Sequence, residues 1–264
     1  MSNYFLNSDV TLVCAHRGHS VDGHENSVLA LEQAATHGAD ACEVDLRILA
    51  DGVFVVLHDP LLSRTTSGRG AVSATAWPAV SKLQLRHASG NLLDETVPSL
   101  SMILEAASSL NMNLVLEIKD DLDTPSLKAL LRIVRDKYDL SKVIFSSFNH
   151  FVLRRLSEIE PQTVRKAIVT AQLIDPIKLV RSIPAHGITL DYPFSAFHAN
   201  EEIAAAGIQT SHFISPNSSY AEAGELGGQE LQALSRSVAN KNLAMVYCDD
   251  AREGRALVDR SVKG

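Results

Sequence analysis

Short apolar, β-branched runs alternate with segments of helical periodicity along almost the whole chain, and this alternation restricts the fold more than any other feature. Strands are expected at 10–15, 41–46, 113–118, 142–146, 165–169, 187–190, 208–213 and 243–247. Helices are expected at 27–37, 99–110, 125–138, 150–158, 176–181, 200–206, 230–240 and 251–258. Strands that each precede a helix imply a parallel sheet. At 264 residues, eight such units predict a closed α/β (β/α)8 TIM barrel rather than an open sheet, with residues 1–264 as one domain.

One run breaks the alternation. Val-Phe-Val-Val-Leu-His at 53–58 is a strand pattern, yet only about six residues separate it from the strand before it. A parallel crossover needs a dozen or more. The two must form an antiparallel hairpin turning at Asp51-Gly52, an extension on the second barrel strand. Folding back about residue 51 sets His58 opposite Val44 to Asp45. The stretch 60–97 follows, weakly periodic, rich in Ser, Thr, Gly and Ala, and carrying the single Trp, Trp77. It reads as a small insertion or lid over one end of the barrel.

Composition removes several classes. With 45% hydrophobic and 21% charged residues, the chain is neither disordered nor fibrous. A net charge of −7 argues against nucleic acid or an anionic membrane as the main partner, while leaving room for a small anion in a locally positive pocket. Three cysteines, Cys14, Cys42 and Cys248, have no metal spacing and cannot all pair, as in a reducing compartment. The N-terminus lacks the basic start and apolar run of a secretion signal, and no stretch approaches the ~18 apolar residues of a membrane span. The cytoplasm is the default address. No dinucleotide fingerprint, P-loop or Gly-x-Ser-x-Gly elbow is present.

The strongest chemical signal is Glu43-Val44-Asp45. Residues i and i+2 of a strand face the same way, so with Val44 and Leu46 packed outward both carboxylates point into the barrel mouth. Crowded carboxylates repel, and a divalent cation or a shared proton relieves them. Glu117, near the end of an apolar strand, adds a third, with Lys119 on the same face. Each acid alone is as readily a solvated rim charge. Three on two apolar strands favour a hard-cation site, Mg²⁺ or Ca²⁺ rather than zinc, with Mn²⁺ a further candidate.

His16 sits at the mouth of the first strand, and His58 returns beside the acids through the hairpin. Two imidazoles flanking such a site can divide proton uptake and delivery between them. His24 lies close in sequence and is left without a role. Arg17 and Lys119 either recognise an anion beside the cation or simply pair with the acids. Glu25-Asn26-Ser27 reads as a helix start, with Asn26 or Ser27 as cap.

In order along the chain, Ala15-His16-Arg17-Gly18, His24-Glu25-Asn26-Ser27, Gly38 to Asp45, Asp51-Gly52, His58-Asp59, Arg64-Thr65-Thr66-Ser67-Gly68, Val97-Pro98-Ser99-Leu100, Glu117-Ile118-Lys119 and Ser146-Ser147-Phe148-Asn149 resemble the glycerophosphodiester phosphodiesterase family, over residues 10 to about 150. The resemblance implies a phosphodiesterase-type barrel that uses one divalent cation to hydrolyse glycerophosphodiesters to sn-glycerol 3-phosphate and an alcohol. It implies catalytic histidines at His16 and His58, metal ligands at Glu43, Asp45 and Glu117, and phosphate-binding cations at Arg17 and Lys119.

The chain also departs from that pattern. His24 stands where the family usually has Pro, and the last hundred residues match poorly. Thr210-Ser211-His212-Phe213 replaces a Trp-Thr-Val-Asn element, and Val246-Tyr247-Cys248-Asp249-Asp250 replaces an Asp-Gly-Ile-x-Thr-Asp element. That half of the barrel should line the pocket for the organic groups, so head-group preference stays open. Two further readings remain: a lysophospholipase D or sphingomyelinase D-like enzyme with an apolar entrance near Trp77, and a non-catalytic barrel that binds an organophosphate. Oligomeric state has no signature in the sequence.

Overall fold

A computed structural model describes residues 4–6, 8–22, 25–191, 200–214 and 228–263. Its strands are β1 (Leu12–Ala15), β2 (Ala41–Ile48), β3 (Phe54–Val56), β4 (Gln84–Arg86), β5 (Leu92–Thr96), β6 (Asn113–Ile118), β7 (Val143–Ser147), β8 (Val164–Val169), β9 (Gly187–Asp191), β10 (Gln209–Phe213) and β11 (Met245–Cys248). Its α-helices are α1 (Val28–Thr36), α2 (Trp77–Val80), α3 (Leu100–Ser109), α4 (Thr124–Lys137), α5 (His150–Ile159), α6 (Pro176–Ser182), α7 (Asn200–Ala205), α8 (Gly228–Ala239) and α9 (Ala251–Lys263).

The strands run in the order β1-β11-β10-β9-β8-β7-β6-β2, and β1 also pairs with β2. Every one of these pairings is parallel, so the eight strands close into the expected barrel. Period-2 alternation separates two apolar layers. Val44, Leu46, Leu114, Leu116 and Phe145 face outward into the core shared with the helices. Leu12, Cys14, Ala41, Val115, Ile144, Val164 and Met245 fill the barrel interior. Phe5 packs against this inner set. All three cysteines are buried and free.

The helices form for local reasons. In α4, Leu127, Leu130, Leu131 and Val134 make one buried stripe, Asp123 caps the first turn through Ser126 N at 2.9 Å, and Pro125 occupies that turn without losing a needed donor. Each buried Leu contributes about 1.5–3 kcal/mol, so Leu130→Ala is a damaging change. In α1 the cap is Ser27, whose Oγ accepts from Ala30 N at 2.9 Å.

The β2–β3 hairpin is antiparallel, with Leu46 opposite Val56 and Ile48 opposite Phe54. Leu57 N donates to Asp45 O at 3.0 Å, which extends the register one residue and sets His58 opposite Val44. From there 60–97 departs. It carries α2 and the β4–β5 hairpin, two elements its weak periodicity did not predict. The alternation of Leu83 and Leu85 before the Ser89-Gly90 turn is their faint signal. Leu62, Val72, Val80, Leu85 and Val97 pack on Leu49, Val55 and Leu57 of the hairpin, joined by Trp77. No described helix is long and apolar enough to cross a membrane.

Candidate active site

Glu43 and Asp45 lie on the inward face of β2, and Asp45 is directly beside Glu117 of β6. All three are buried. One carboxylate oxygen from each falls within 4.8 Å of the others. At an effective dielectric of ~20, two charges at that spacing repel by about 3–4 kcal/mol. Burial, then Asp45 and Glu117, pushes the Glu43 carboxyl well above the usual range. Burial and the Asp45 charge push Glu117 up to about 7. Burial opposes ionisation of Asp45 as well, but Lys119 and Arg17 outweigh it and hold that carboxyl below its ordinary value.

Those two cations are built in. Lys119 Nζ lies 2.9 Å from Asp45 Oδ1 and 2.5 Å from Glu117 Oε1. Arg17 Nε lies 3.3 Å from Asp45 Oδ2, and its Nη1 donates to Glu25 Oε1 at 3.1 Å. Arg17 adopts a left-handed φ of 56°, which lets its backbone N–H donate to Glu43 Oε2 at 2.8 Å. The adjoining Gly18, φ +83°, admits no side chain, since a Cβ there would meet Ala30 Cβ at 2.5 Å. Asn26, also left-handed, donates Nδ2 to Asp45 Oδ2 at 2.7 Å and accepts from Asp45 N at 3.0 Å. Asn26 is therefore a clamp on the acid, and the helix cap is Ser27 alone.

Both histidines are oriented in the same way. His16 Nδ1 is 2.7 Å from Asp249 Oδ1, and its ring meets the Phe213 ring edge-on with centroids 4.1 Å apart. His58 Nδ1 is 2.8 Å from Asp59 Oδ1. Arg64 grips Asp59 through Nε and Nη2 at 2.7 and 2.9 Å, and also grips Glu25. Arg47 holds the His58 carbonyl through Nε and Nη2 at 2.9 and 2.7 Å. A carboxylate on Nδ1 fixes the tautomer with the proton there and leaves Nε2 able to exchange one. Burial lowers the pKa of each ring: the Asp249 hydrogen bond opposes this at His16, and the Asp45 charge opposes it at His58.

His16, Arg17, Glu43, His58, Glu117 and Lys119 line one cleft of about 730 Å³ at the barrel mouth. Asp45 lies fully buried, held by Arg17, Asn26 and Lys119. The seven residues singled out from the sequence are thus brought together. His24 lies outside the described residues. Sequence reasoning missed the supports Asp249, Asp59, Asn26 and Arg64. Asp249 is 233 residues from His16, so no local spacing could reveal it.

Glu43 Oε1 is buried without a hydrogen-bond partner, while Asp45 Oδ1 and Glu117 Oε1 share the single Lys119 ammonium. Three carboxylates face two cations, Lys119 and Arg17, and the donor set is entirely oxygen. This crowded, under-neutralised set of oxygens, with Glu43 Oε1 unpartnered, fits a hard divalent cation.

Comparison with known proteins agrees with this geometry. A glycerophosphodiester phosphodiesterase from Caldanaerobacter subterraneus subsp. tengcongensis is 30% identical over 187 residues, 70% of this chain and 76% of its own. One from Bacillus altitudinis is 28% identical over 211 residues, 74% of this chain and 84% of its own. The structure superposes with a TM-score of 0.82 and 26% identity on an Oleispira antarctica phosphodiesterase solved with its product sn-glycerol-3-phosphate, covering 96% of this chain and 99% of that one. The family model for the glycerophosphoryl diester phosphodiesterases matches residues 16–218, well past the motifs legible near the N-terminus. The chain belongs to the glycerophosphoryl diester phosphodiesterase family.

Proposed function

We propose that this chain is a glycerophosphodiester phosphodiesterase that cleaves its substrates to sn-glycerol 3-phosphate and an alcohol by two-histidine acid–base catalysis. The observation that carries this reading is the pair of carboxylate-oriented imidazoles lining one cleft with three crowded acids and two cations. Arg17 and Lys119 bind the anionic phosphodiester. Glu43, Asp45 and Glu117 would hold one divalent cation, which when bound neutralises charge on the phosphoryl oxygens. One imidazole Nε2 takes the proton of the attacking hydroxyl as its oxygen bonds to phosphorus; the hydroxyl is that of water, or that of the substrate's own glycerol, in which case a cyclic phosphate forms and water then opens it to sn-glycerol 3-phosphate. The other imidazole, protonated, delivers its proton to the alkoxide as the second P–O bond breaks. An alkoxide leaves poorly, so both partners should matter for rate.

A panel of glycerophosphodiesters with coupled detection of glycerol 3-phosphate tests the reading, run with EDTA and then with Mg²⁺, Ca²⁺ or Mn²⁺ restored. Release of glycerol 3-phosphate that stops on chelation and returns with a cation is expected. Full activity after rigorous chelation removes the metal from the mechanism, and binding without product favours the non-catalytic barrel.

One observation favours a second substrate class. Phe148 on the cleft wall is 51% exposed, and Phe151 beyond it is 72% exposed. Together they offer an apolar approach for the chain of a lysophospholipid. The entrance expected near Trp77 does not form, because Trp77 packs into the core of 60–97. Faster turnover of a lysolipid than of its deacylated counterpart would establish this alternative.

A further inference from the structure

Arg86 ends β4 at the tip of the 60–97 segment and lines the cleft. Its Nε donates to Thr66 O at 3.2 Å and its Nη1 to Gly90 O at 2.8 Å. Its backbone N–H donates to Thr65 O at 2.7 Å. Gly90 takes a left-handed φ of 93° to close the turn, with its N–H donating to His87 O at 2.8 Å. The guanidinium is thus pinned by two carbonyls, and three of its five N–H groups remain unused. Among the described residues it is a cleft cation with no carboxylate partner.

The rest of the cleft's charge is already answered. Glu25 is held by Arg64 and Arg17. Asp249 is held by His16 and Ser20. Glu43 and Glu117 belong to the acid cluster. The aromatic rings that could receive a quaternary ammonium are engaged too: Lys119 Nζ sits 5.6 Å from the Phe148 ring centre, and Phe213 packs between His16 and Tyr247. A cationic alcohol finds no unanswered carboxylate outside the acid cluster and, at Phe148, a ring already facing an ammonium, whereas an anionic one finds a fixed guanidinium.

We propose that Arg86 is a specificity determinant that reads the leaving alcohol by charge, so that the cleft favours glycerophosphodiesters whose alcohol carries a carboxylate or a phosphate. This rests on the phosphodiesterase reading above and adds to it the class of alcohol. The orientation follows from position. Arg86 belongs to the 60–97 segment, which packs on the β2–β3 hairpin that leads into His58, whereas His16 follows β1 and packs against Phe213 of β10. In the pose proposed, the alcohol lies on the side of the cleft that Arg86 lines.

A matched pair of substrates tests this. sn-Glycero-3-phosphoserine and sn-glycero-3-phosphoethanolamine share the amine and differ by one carboxylate. With the full chain and added divalent cation, the serine diester should have the higher kcat/KM by roughly tenfold, as expected for one charge-assisted contact. In Arg86→Gln that ratio should fall to about one, and in Arg86→Lys it should be intermediate, since charge remains but the fork is lost. Raising salt should shrink the wild-type ratio and leave the Arg86→Gln ratio unmoved. A wild-type ratio near one, or an equal fall on both substrates in Arg86→Gln, would overturn the proposal. The latter would mark Arg86 as a mere brace for the hairpin. No turnover of either diester with any cation would remove the phosphodiesterase reading, and this inference with it.

Discussion

The two halves of the barrel perturb different ionisable groups, although Asp249 and Asp250 after β11 are also buried acids and His19 after β1 a buried base. The half built on β1, β2, β6 and β7 buries acids, and crowding drives Glu43 and Glu117 towards their protonated forms. In the half built on β8 to β11, desolvation drives the buried bases Lys166 and His212 and the half-buried His186 towards their neutral forms: Lys166 down to about 8, His186 to about 4 and His212 to about 3. The first imbalance faces the cleft, where a ligand can correct it. The second is settled internally, Lys166 Nζ donating to Ser211 Oγ at 2.8 Å and His212 packing against Asn200. Perturbed ionisable groups that open on a cavity point to chemistry, and perturbed groups that are sealed are a cost of the fold.

The largest effects should test where the chemistry sits. His16→Ala and His58→Ala should each lower kcat by ~10²–10⁴ with modest change in KM. His186→Gln, a histidine of the other half, should stay within about threefold of wild type in the same assay. Asp249→Asn crosses the divide, because β11 leads to the residue that orients His16. It should cost roughly ten- to a thousandfold in kcat and shift the pH profile. Unchanged kinetics in Asp249→Asn would confine the machinery to the first half.

Next in size is an opposed dependence on pH. Glu117 has a folded pKa near 7 against an ordinary 4.5, so the stability it contributes is complete below about 4.5 and lost as pH rises through 7. A divalent cation should therefore raise Tm more at pH 8 than at pH 5, and Glu117→Gln should flatten that difference. His212, lowered from 6.5 to about 3, contributes stability present above 6.5 and lost as pH falls towards 3. His212→Gln should flatten the acid limb of the Tm profile in EDTA and leave the alkaline limb alone. The smallest effects should show no difference between the halves. Ser27→Ala at α1 and Asp175→Ala at α6 each remove a helix cap, and each should cost about 1 kcal/mol in denaturant unfolding.

The same contrast explains what the sequence could reveal. β6 at Asn113–Ile118 falls on its expected residues, because a buried parallel strand is a continuous apolar run. The three acids were legible because each interrupts such a run, and His58 because a short turn fixes the hairpin register. Asp249 and Asn26 were not legible as site residues, since each acts on a partner that only the closed barrel brings near, and Arg64 was not because nothing in the spacing showed that it joins Asp59 to the distant Glu25. The β4–β5 hairpin escaped because its strands are short and partly exposed, and its burial depends on the surface of the β2–β3 hairpin.

The segment that carries Arg86 starts and finishes at one spot. Val56 N donates to Pro98 O at 3.0 Å, and Val55 bridges Ser99, just where the chain leaves for residue 60 and returns from residue 97. With both ends held at one clasp, the closure cost of the segment depends only weakly on its length, about 0.6 kcal/mol per doubling, and its own packing on the hairpin holds the rest in place. One clasped annex therefore serves two ends of the reaction at once, since its Arg64 braces the Asp59 that orients His58 while Arg86 reaches the cleft from the same segment.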